Sequence, residues 1–315
     1  MTMSAKEAGR AFPGPVAVSG AAGRLGHLVV RRLHRTDEVL ALDPRDFAAR
    51  PADVTHHMTD LRRRATRDIF RRGLVGAAVH LGPFHSAGGE GKEQGFAAAA
   101  LSFSRLLEYC DAYHVKKLVL LSSADVYGAS ATNPQFLSEE APLLAADLSA
   151  LRDVDMMAQS FFWKRPDIET VILRPCHIVG HVAGAMARYL RLAPVPVLLG
   201  YDPMIQLLHE EDAVRALRLA LAPGVRGIFN VAGPPPMPLS RVLERLRRRV
   251  VRVPHVLASP VIKELGRIGK TALKPAYVSY IRYVCMVDDS RAREKLGYAP
   301  SRGFDETIAA VDLWE

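Results

Sequence analysis

A glycine-rich turn between two apolar segments constrains this chain more than any other feature. Residues 19–26 read Ser-Gly-Ala-Ala-Gly-Arg-Leu-Gly; they follow the run Val-Ala-Val and precede apolar residues at helical spacing over 25–33. Glycine permits a tight turn and lets backbone N–H groups approach a pyrophosphate at the positive end of the following helix. The pattern therefore predicts a strand, a phosphate-binding turn and a helix.

An acidic residue further along supports a dinucleotide ligand. Asp43 ends the second apolar run, 17 residues after Gly26. A carboxylate at this place accepts hydrogen bonds from the adenosine ribose and would repel a ribose 2′-phosphate. NAD is therefore favoured over NADP. The cationic Arg45, two residues later, weakens this preference for NAD.

Short runs of Val, Leu and Ile alternate with helix-like segments up to about residue 175. Such runs are typical of strands buried on both faces of a parallel sheet, so we expect an α/β fold, a Rossmann-type doubly wound parallel sheet. After residue 180 prolines cluster and the pattern changes. We expect an NAD-binding domain over 14–180 with 205–233, and a smaller C-terminal substrate domain over 181–204 and 234–315.

The composition is that of an ordinary globular protein: of 315 residues, 49% are hydrophobic and 24% are charged. These values exclude a disordered or collagen-like chain. The three cysteines show no CxxC spacing, so no structural zinc or other metal site is expected. No signal peptide and no apolar stretch long enough to span a membrane is seen, which predicts a cytoplasmic protein.

The net charge of +9 comes from one part of the chain. Residues 238–284 hold eleven Lys and Arg against two acidic residues, which accounts for the whole excess. We expect residues 239–251 to form a helix with Arg241, Arg245 and Arg248 on one face, and 257–273 to form a second amphipathic stretch. This segment suggests a solvated helix face, contact with a small anionic substrate, or peripheral contact with an anionic membrane through 239–274. Aromatic interleaving and nucleic-acid-binding motifs are missing, so nucleic acid is the least favoured partner.

The glycine spacing resembles that of the extended short-chain dehydrogenase/reductases, the NAD-dependent epimerase/dehydratase family that includes UDP-glucose 4-epimerase. Further segments are similar to the family's in the same order: Asp60-Leu61, 79–82, 120–128, 173–180, 207–214 and 287–297. The resemblance covers nearly the whole chain. It implies the following cofactor-binding residues: Gly20, Gly23, Arg24, Leu25, Gly26, Asp43, Asp60, Leu61, Leu81, Gly82, Ser122 and Pro175. It also places Ser123 at the family's catalytic hydroxyl.

One departure from the family concerns its chemistry. The family uses a Tyr-x-x-x-Lys pair on the helix after the fifth strand, in which the tyrosine exchanges a proton with the substrate. Here no tyrosine occurs between Tyr127 and Tyr189 and no lysine between 117 and 164. One alignment register puts Leu148 and Arg152 at these positions, and no register restores the pair. The chain therefore resembles an atypical member of the family, and we expect its acid/base chemistry to be weakened or altered.

Four residues are candidates to replace the missing proton donor: Ser123, Asp125, Tyr127 and His177. His177 stands where the family's sugar-nucleotide epimerases carry an asparagine that contacts the substrate phosphate, so it is the candidate substrate ligand. His80, in the middle of an apolar run, is expected to be a core histidine.

Three functions remain open at this point. The first is an NAD-dependent oxidoreductase or epimerase that acts on a hydroxyl carbon of an anionic, nucleotide-sugar substrate, in a chain that could form a homodimer. The second is a non-catalytic NAD-binding sensor or structural protein, because the tyrosine and lysine are missing. The third is a hydroxysteroid or lipid-linked dehydrogenase, because the C-terminal segment is apolar and basic.

Overall fold

The computed structural model describes residues 12–72, 75–82, 93–145, 148–182, 184–257, 260 and 277–313. The described residues form thirteen strands, numbered here along the chain: β1 Val16–Ser19, β2 Val39–Asp43, β3 Thr55–Met58, β4 Ala77–His80, β5 Lys117–Leu121, β6 Glu169–Pro175, β7 His177–Val179, β8 Val195–Leu198, β9 Met204–Ile205, β10 Leu207–His209, β11 Gly227–Val231, β12 Met237–Pro238 and β13 Val250–Val253. They also form nine α-helices: α1 Arg24–Leu33, α2 Arg64–Arg71, α3 Glu93–Ala112, α4 Ser149–Lys164, α5 Ala185–Leu190, α6 Glu210–Ala220, α7 Leu239–Arg245, α8 Ser290–Leu296 and α9 Phe304–Ala309. One-turn 3₁₀ helices cover Ala124–Tyr127, Ser279–Ile281 and Ala310–Asp312.

Seven strands form one parallel sheet in the order β11-β6-β5-β4-β1-β2-β3. The order reverses direction between β4 and β1, and in open α/β sheets ligands bind at the carboxyl edge beside such a reversal. The predicted Rossmann-type α/β class is confirmed. The carboxyl edge of β1, β4 and β5 is where the predicted site residues meet.

The two faces of the sheet explain the near-continuous apolar runs of the sequence. Along each strand, side chains alternate between two cores: Val18 and Val79 pack with α1 and α6, whereas Ala17 and Ala78 pack with α2, α3 and α4. Because helices cover both faces of the sheet, polar residues alternating along a strand would place polar groups in one of the two cores. The sequence avoids this by using Val, Leu, Ile and Ala throughout.

A third hydrophobic core lies in the later part of the chain. It is built from α5, α7, the end of the chain and three two-stranded pairings, β7 with β10, β9 with β12 and β8 with β13. Tyr189, Leu190, Val242 and Val311 are fully buried within it. The predicted boundaries at residues 180, 205 and 234 stay a prediction.

The helix predicted over 239–251 is wrong in its second half. α7 ends at Arg245, Arg247 takes a left-handed backbone conformation, and Val250–Val253 forms strand β13 beside β8. The physical reason is that β-branched valines at 250, 251 and 253 favour an extended strand over a helix. Most of the second amphipathic stretch, 257–273, lies outside the described residues.

Candidate functional site

The phosphate-binding turn has the geometry that its glycines predict. Gly20 has φ +83°, a conformation that L side chains rarely adopt, and a Cβ on Gly26 would lie 2.3 Å from the Gly20 carbonyl oxygen. The turn brings Gly20 against Leu81, because a Cβ at Gly20 would sit 3.4 Å from that of Leu81. Glycine at 20 and 26 therefore allows the loop to close onto the start of α1.

The first turn of α1 is suited to bind an anion. Its N-cap, Gly23, has no side chain that could cap the helix, and the first turn holds no acidic residue. The predicted cofactor-binding residues Arg24 and Leu25 lie in this turn. By contrast, α6 has a capping His209 side chain and three acids in its first turn. Unsatisfied N–H groups and the helix dipole favour a phosphate at α1, so this turn fits a dinucleotide pyrophosphate.

Asp43 lies at the carboxyl end of β2, where it was predicted to meet the adenosine ribose. Its carboxylate accepts the Ala22 N–H at 3.1 Å and two side-chain bonds from Arg45 at 2.9 Å each. Burial alone would raise the pKa of Asp43, but the hydrogen bonds and charge of Arg45 outweigh it and lower the pKa of the carboxyl. The carboxylate is therefore ionised and already paired.

The next strand ends in a similar arrangement. Asp60 accepts hydrogen bonds from Nε and Nη2 of the Arg62 side chain and from the Arg62 backbone N–H, and the Arg62 side-chain bonds lower the pKa of the Asp60 carboxyl. Leu61 is buried, and its carbonyl accepts a 2.9 Å bond from Tyr109. Gly82 follows β4 with φ +54°. Asp60, Leu61, Leu81 and Gly82 thus border the same sheet edge as the glycine turn.

His80 is a core residue, as predicted, but only one of its ring nitrogens has a described partner. Nδ1 lies 2.6 Å from the Ser19 Oγ, and Nε2 is buried without a hydrogen-bond partner among the described residues. Desolvation lowers the pKa of His80 to about 4. The imidazole is therefore neutral at physiological pH.

A buried ionic network lies behind the carboxyl ends of β5 and β6. The Asp155 carboxylate on α4 accepts hydrogen bonds from Nε and Nη2 of Arg174, at 3.0 and 2.6 Å, and from the Ser122 hydroxyl, at 2.6 Å. Arg174 Nη1 donates to the Tyr127 hydroxyl, which donates to Asn230 Oδ1, both at 2.8 Å. The network joins β5, α4, β6 and β11, and all of these side chains are buried.

This network makes the Tyr127 hydroxyl unsuitable as the replacement proton donor. Its hydroxyl is buried, bonded on both sides, and burial raises its pKa to about 12. The sequence pattern could not show this, because Asp155 and Asn230 are distant in the chain. The hydroxyl of Ser122, predicted to contact the cofactor, is likewise directed to Asp155. Pro175 ends β6 opposite Val231 and is buried.

The two positions that one alignment register assigns to the tyrosine and the lysine hold Leu148 and Arg152. Leu148, immediately before helix α4, packs against the core on the α1 and α6 face of the sheet and against the third core. Arg152 lies 3.7 Å from Asp153, on the helix itself. Neither side chain can exchange a proton with a substrate as the tyrosine does.

The remaining three candidates share one small pocket at the ends of β5 and β6. Ser123, Asp125 and His177 line it together with Cys176 and Tyr277. His177 Nδ1 lies 3.5 Å from Asp125 Oδ1, and the Ser123 hydroxyl accepts the Asp125 N–H at 3.1 Å. Burial raises the pKa values of the Asp125 carboxyl and the Tyr277 hydroxyl. A carboxyl group, an imidazole and two hydroxyls therefore converge here.

Two further residues near this pocket are not indicated by any pattern in the sequence. Tyr277 lies about 100 residues or more after the signature segments of the pocket, and no spacing links it to them. Arg188, on α5, is partly buried, its Nε has no hydrogen-bond partner among the described residues, and desolvation lowers its pKa. Arg188 lies on the same helix as Met186, which lines the pocket.

The basic segment is less cationic than its sequence suggests. Arg241 pairs with Glu244, Arg245 with Asp305 and Arg248 with Asp312, so these three arginines are neutralised. The exposed Arg247, Arg249 and Arg252 have no ion pair with a residue that the structure describes. Among the described residues, no helix has both the length and the apolar character that a membrane span requires.

Comparisons with known proteins agree with this geometry. The family model described as "NAD dependent epimerase/dehydratase family" matches residues 16–232. An uncharacterized protein of Mycobacterium tuberculosis (strain ATCC 25618 / H37Rv) is 29% identical over 309 residues, which is 92% of this chain and 81% of that protein.

Solved structures share the fold across almost the whole chain. The UDP-glucose 4-epimerase of Thermus thermophilus in complex with NAD has a TM-score of 0.70 at 22% identity, covering 95% of this chain and 98% of that one. The UDP-glucuronic acid 4-epimerase of Bacillus cereus in complex with UDP-glucuronic acid and NAD has a TM-score of 0.72 at 16% identity, with the same coverage. The resemblance found in the sequence and the NAD assignment are confirmed at this level: the chain belongs to the NAD-dependent epimerase/dehydratase family.

Proposed function

We propose that this protein is an NAD-dependent enzyme that moves a hydride at a hydroxyl-bearing carbon of a small anionic substrate, with a nucleotide sugar as the first candidate. The pocket of Ser123, Asp125, His177 and Tyr277 carries the proposal. It lies at the end of β5, two strands from β1 in the sheet. At about 4.8 Å per strand the separation is about 10 Å, which lets a dinucleotide held at α1 reach the pocket.

In this proposal His177 handles the proton that the family's tyrosine handles elsewhere. NAD supplies the hydride acceptor when it is bound. Asp125 faces Nδ1, so Nε2 is the nitrogen left to take the proton of the substrate hydroxyl as the carbon is oxidised. The carboxylate orients the imidazole and stabilises its charged form, and the Ser123 hydroxyl is placed to donate to the substrate oxygen.

Arg188 supports an anionic substrate. A partly buried guanidinium without a described carboxylate is costly, and a phosphate group would satisfy it with charge-assisted hydrogen bonds. Helix α5 also supplies Ala185 and Met186, with Gly184 just before it, to the pocket wall. The chemistry of a nucleoside diphosphate fits this arrangement.

The test is a substrate panel with a direct readout. The purified protein would be examined by mass spectrometry for bound nucleotide, and nicotinamide absorbance would be followed with UDP-sugars, hydroxysteroids and hydroxyacyl compounds. We expect reduction with a nucleotide sugar and its loss in Ser123→Ala. Tight binding of a nucleotide sugar with no reduction by any compound would instead favour the non-catalytic NAD-binding sensor.

A lipid-linked substrate is the second candidate, and an exposed patch favours it. This basic-apolar patch consists of five exposed apolar side chains and three arginines: Leu199, Val250, Val251, Val256, Leu257, Arg247, Arg249 and Arg252. Apolar groups beside cations suit the surface of an anionic membrane. Flotation with anionic vesicles would test it, comparing Arg249→Glu/Arg252→Glu with Arg241→Glu, whose arginine is already paired. Absence of wild-type flotation at low salt would contradict this contact.

We also propose a homodimer through α3 and α4. These helices pack together and leave three large apolar side chains exposed, Leu101 at 48%, Met156 at 53% and Trp163 at 75%. Apolar surface of this kind is typical of a protein interface. Sedimentation equilibrium should show a dimer that Trp163→Glu weakens, and a wild-type monomer at all concentrations would contradict the proposal.

A further inference from the structure

A cavity between α1 and α6 is separate from the pocket that contains Ser123 and His177. This arginine cavity has a volume of about 140 Å³, and six residues of the two helices and of the segment after α1 line it: Leu28, Arg31, Arg32, Arg35, Glu211 and Val214. Helix α1 has ten residues and is about 15 Å long at 1.5 Å per residue. The arginines lie in its last turn and beyond, whereas the turn that fits a pyrophosphate lies at its start.

The arginines of this cavity have no anionic partner among the described residues. Arg31, Arg32 and Arg35 are exposed, and none of their side chains makes an ion pair or a hydrogen bond within the described ranges. Glu211, the acidic residue of the cavity wall, accepts bonds from Nε and Nη2 of Arg302. These bonds lower the pKa of the Glu211 carboxyl, and the charge of Arg32 adds a smaller effect. The carboxylate is therefore ionised and engaged by Arg302, while three cations of the wall stay without a partner of their own.

The end of helix α1 explains only part of this arrangement. Cations in the last turn of a helix are stabilised by the helix dipole, and Arg31 and Arg32 occupy that turn. Arg35 lies two residues beyond the end of the helix at Leu33, yet it lines the same cavity. Like charges that share a cavity repel each other, and an anion bound between them would replace this repulsion by attraction.

The chemistry of the cavity fits a phosphate group. A guanidinium binds phosphate oxygens through two parallel hydrogen bonds, and three guanidinium groups are available here. Leu28 and Val214 pack with the hydrophobic core on this face of the sheet and give the cavity an apolar floor, which strengthens ionic hydrogen bonds by lowering the local dielectric constant. The volume of about 140 Å³ is enough for a phosphate group and the atoms next to it.

We propose that the arginine cavity binds the phosphate group of a small phosphorylated metabolite, at a second anion site apart from the cofactor turn. Arg31, Arg32 and Arg35 donate to the phosphate oxygens, and Glu211 stays bonded to Arg302. The site shares no residue with the pocket of Ser123 and His177. The proposal therefore goes beyond the proposed reaction and does not depend on it.

The test is titration calorimetry at low ionic strength, where ionic contacts are least screened. The probe is glycerol 3-phosphate, and glycerol is the ligand control. We expect saturable binding of glycerol 3-phosphate with the same dissociation constant in the presence and absence of saturating NAD, and no binding of glycerol. Arg35→Gln should weaken the binding about 10- to 100-fold, the size of a charge-assisted contact. Since Arg35 is exposed and lies outside α1, this variant should keep the wild-type circular dichroism spectrum.

Arg105→Gln is the matched control, because Arg105 is an exposed arginine on α3, on the other face of the sheet, and is paired with Glu108. It should leave the dissociation constant unchanged. Absence of saturable binding, or a wild-type constant in Arg35→Gln, would overturn the proposal. Displacement of glycerol 3-phosphate by NAD would place the phosphate at the glycine turn and would also overturn it, as would equal weakening by Arg35→Gln and Arg105→Gln. Lack of NAD reduction with intact glycerol 3-phosphate binding would count only against the proposed reaction.

Discussion

Two Asp–Arg pairs at the sheet have the same chemistry and opposite surroundings. Asp43 and Arg45 lie at the edge that receives the cofactor, and the arginine side chain is 55% exposed. Asp155 and Arg174 lie behind the pocket, with side chains 0% and 1% exposed. Both arginines donate two bonds to their carboxylate, so geometry alone does not distinguish the pairs.

The difference lies in what each pair can do. Arg174 is held additionally by Tyr127 and the Glu139 carbonyl, and Asp155 by Ser122 and Gln159, so neither can move without exposing a buried charge. The described contacts of the Arg45 guanidinium are all with its own carboxylate. A buried pair fixes the positions of β5, α4 and β6, whereas an exposed pair can exchange partners with a ligand.

The largest effect is expected from breaking the buried pair. Arg174→Leu should destabilise the protein by about 3–5 kcal/mol, because it leaves the Asp155 carboxylate buried without compensation. Urea unfolding followed by circular dichroism measures this. The double variant Arg174→Leu/Asp155→Leu should recover much of the loss, since apolar replacement of both partners is often neutral. A single variant as stable as the wild type would show that the pair is not buried in solution.

The pocket in front of that pair should control turnover rather than stability. Once a substrate is known, His177→Ala should lower kcat by about 10²–10⁴-fold, the contribution of a positioned acid/base. NAD affinity, measured by calorimetry, should change little. A matched substitution of a histidine outside the pocket, His34→Ala, provides the control. Loss of NAD binding without a separate effect on kcat would contradict the role given to His177.

His80 predicts a pH dependence of stability. Its folded pKa of about 4 lies below the ordinary histidine value of 6.5. Above pH 6.5 both states are neutral; as the pH falls through 6.5 the unfolded chain takes up the proton first, so stability decreases until about pH 4. At 1.36 kcal/mol per pKa unit the loss is about 3 kcal/mol. The free energy of unfolding, measured by urea titration at several pH values, should fall by this amount between pH 6.5 and pH 4 in the wild type but not in His80→Gln. The same pH dependence in both proteins would contradict the burial of His80.

The smallest effect on stability is expected from opening the exposed pair. Arg45→Gln should change the free energy of unfolding by about 1 kcal/mol or less, because a partly exposed ion pair contributes little. The same urea measurement as for Arg174→Leu provides the comparison. A loss as large as that of the buried pair would remove the distinction between the two regions.

Most of the fold could be predicted from local sequence, because glycine turns and apolar strand runs are short-range patterns. The turn at Gly20 and the parallel sheet are of this kind. The pocket could be predicted only in part: His177 lies in a signature segment, but Tyr277 reaches the pocket through the fold. The buried role of Tyr127 depends on Asn230, 103 residues away, and no local pattern reports such a contact. The helix predicted over 239–251 ends at Arg245, because the β-branched valines at 250, 251 and 253 favour a strand more strongly than the spacing of the arginines favours a helix.

The central claim is that an enzyme without the family's tyrosine and lysine still transfers hydride, using His177 beside Asp125. The most direct measurement is single-turnover reduction of bound NAD by a nucleotide sugar, followed by nicotinamide absorbance in wild type, His177→Ala and Asp125→Asn. The account predicts reduction in the wild type and a strong slowing in both variants at unchanged NAD occupancy. Reduction in His177→Ala at the wild-type rate, or none in a wild type with both ligands bound, would contradict it.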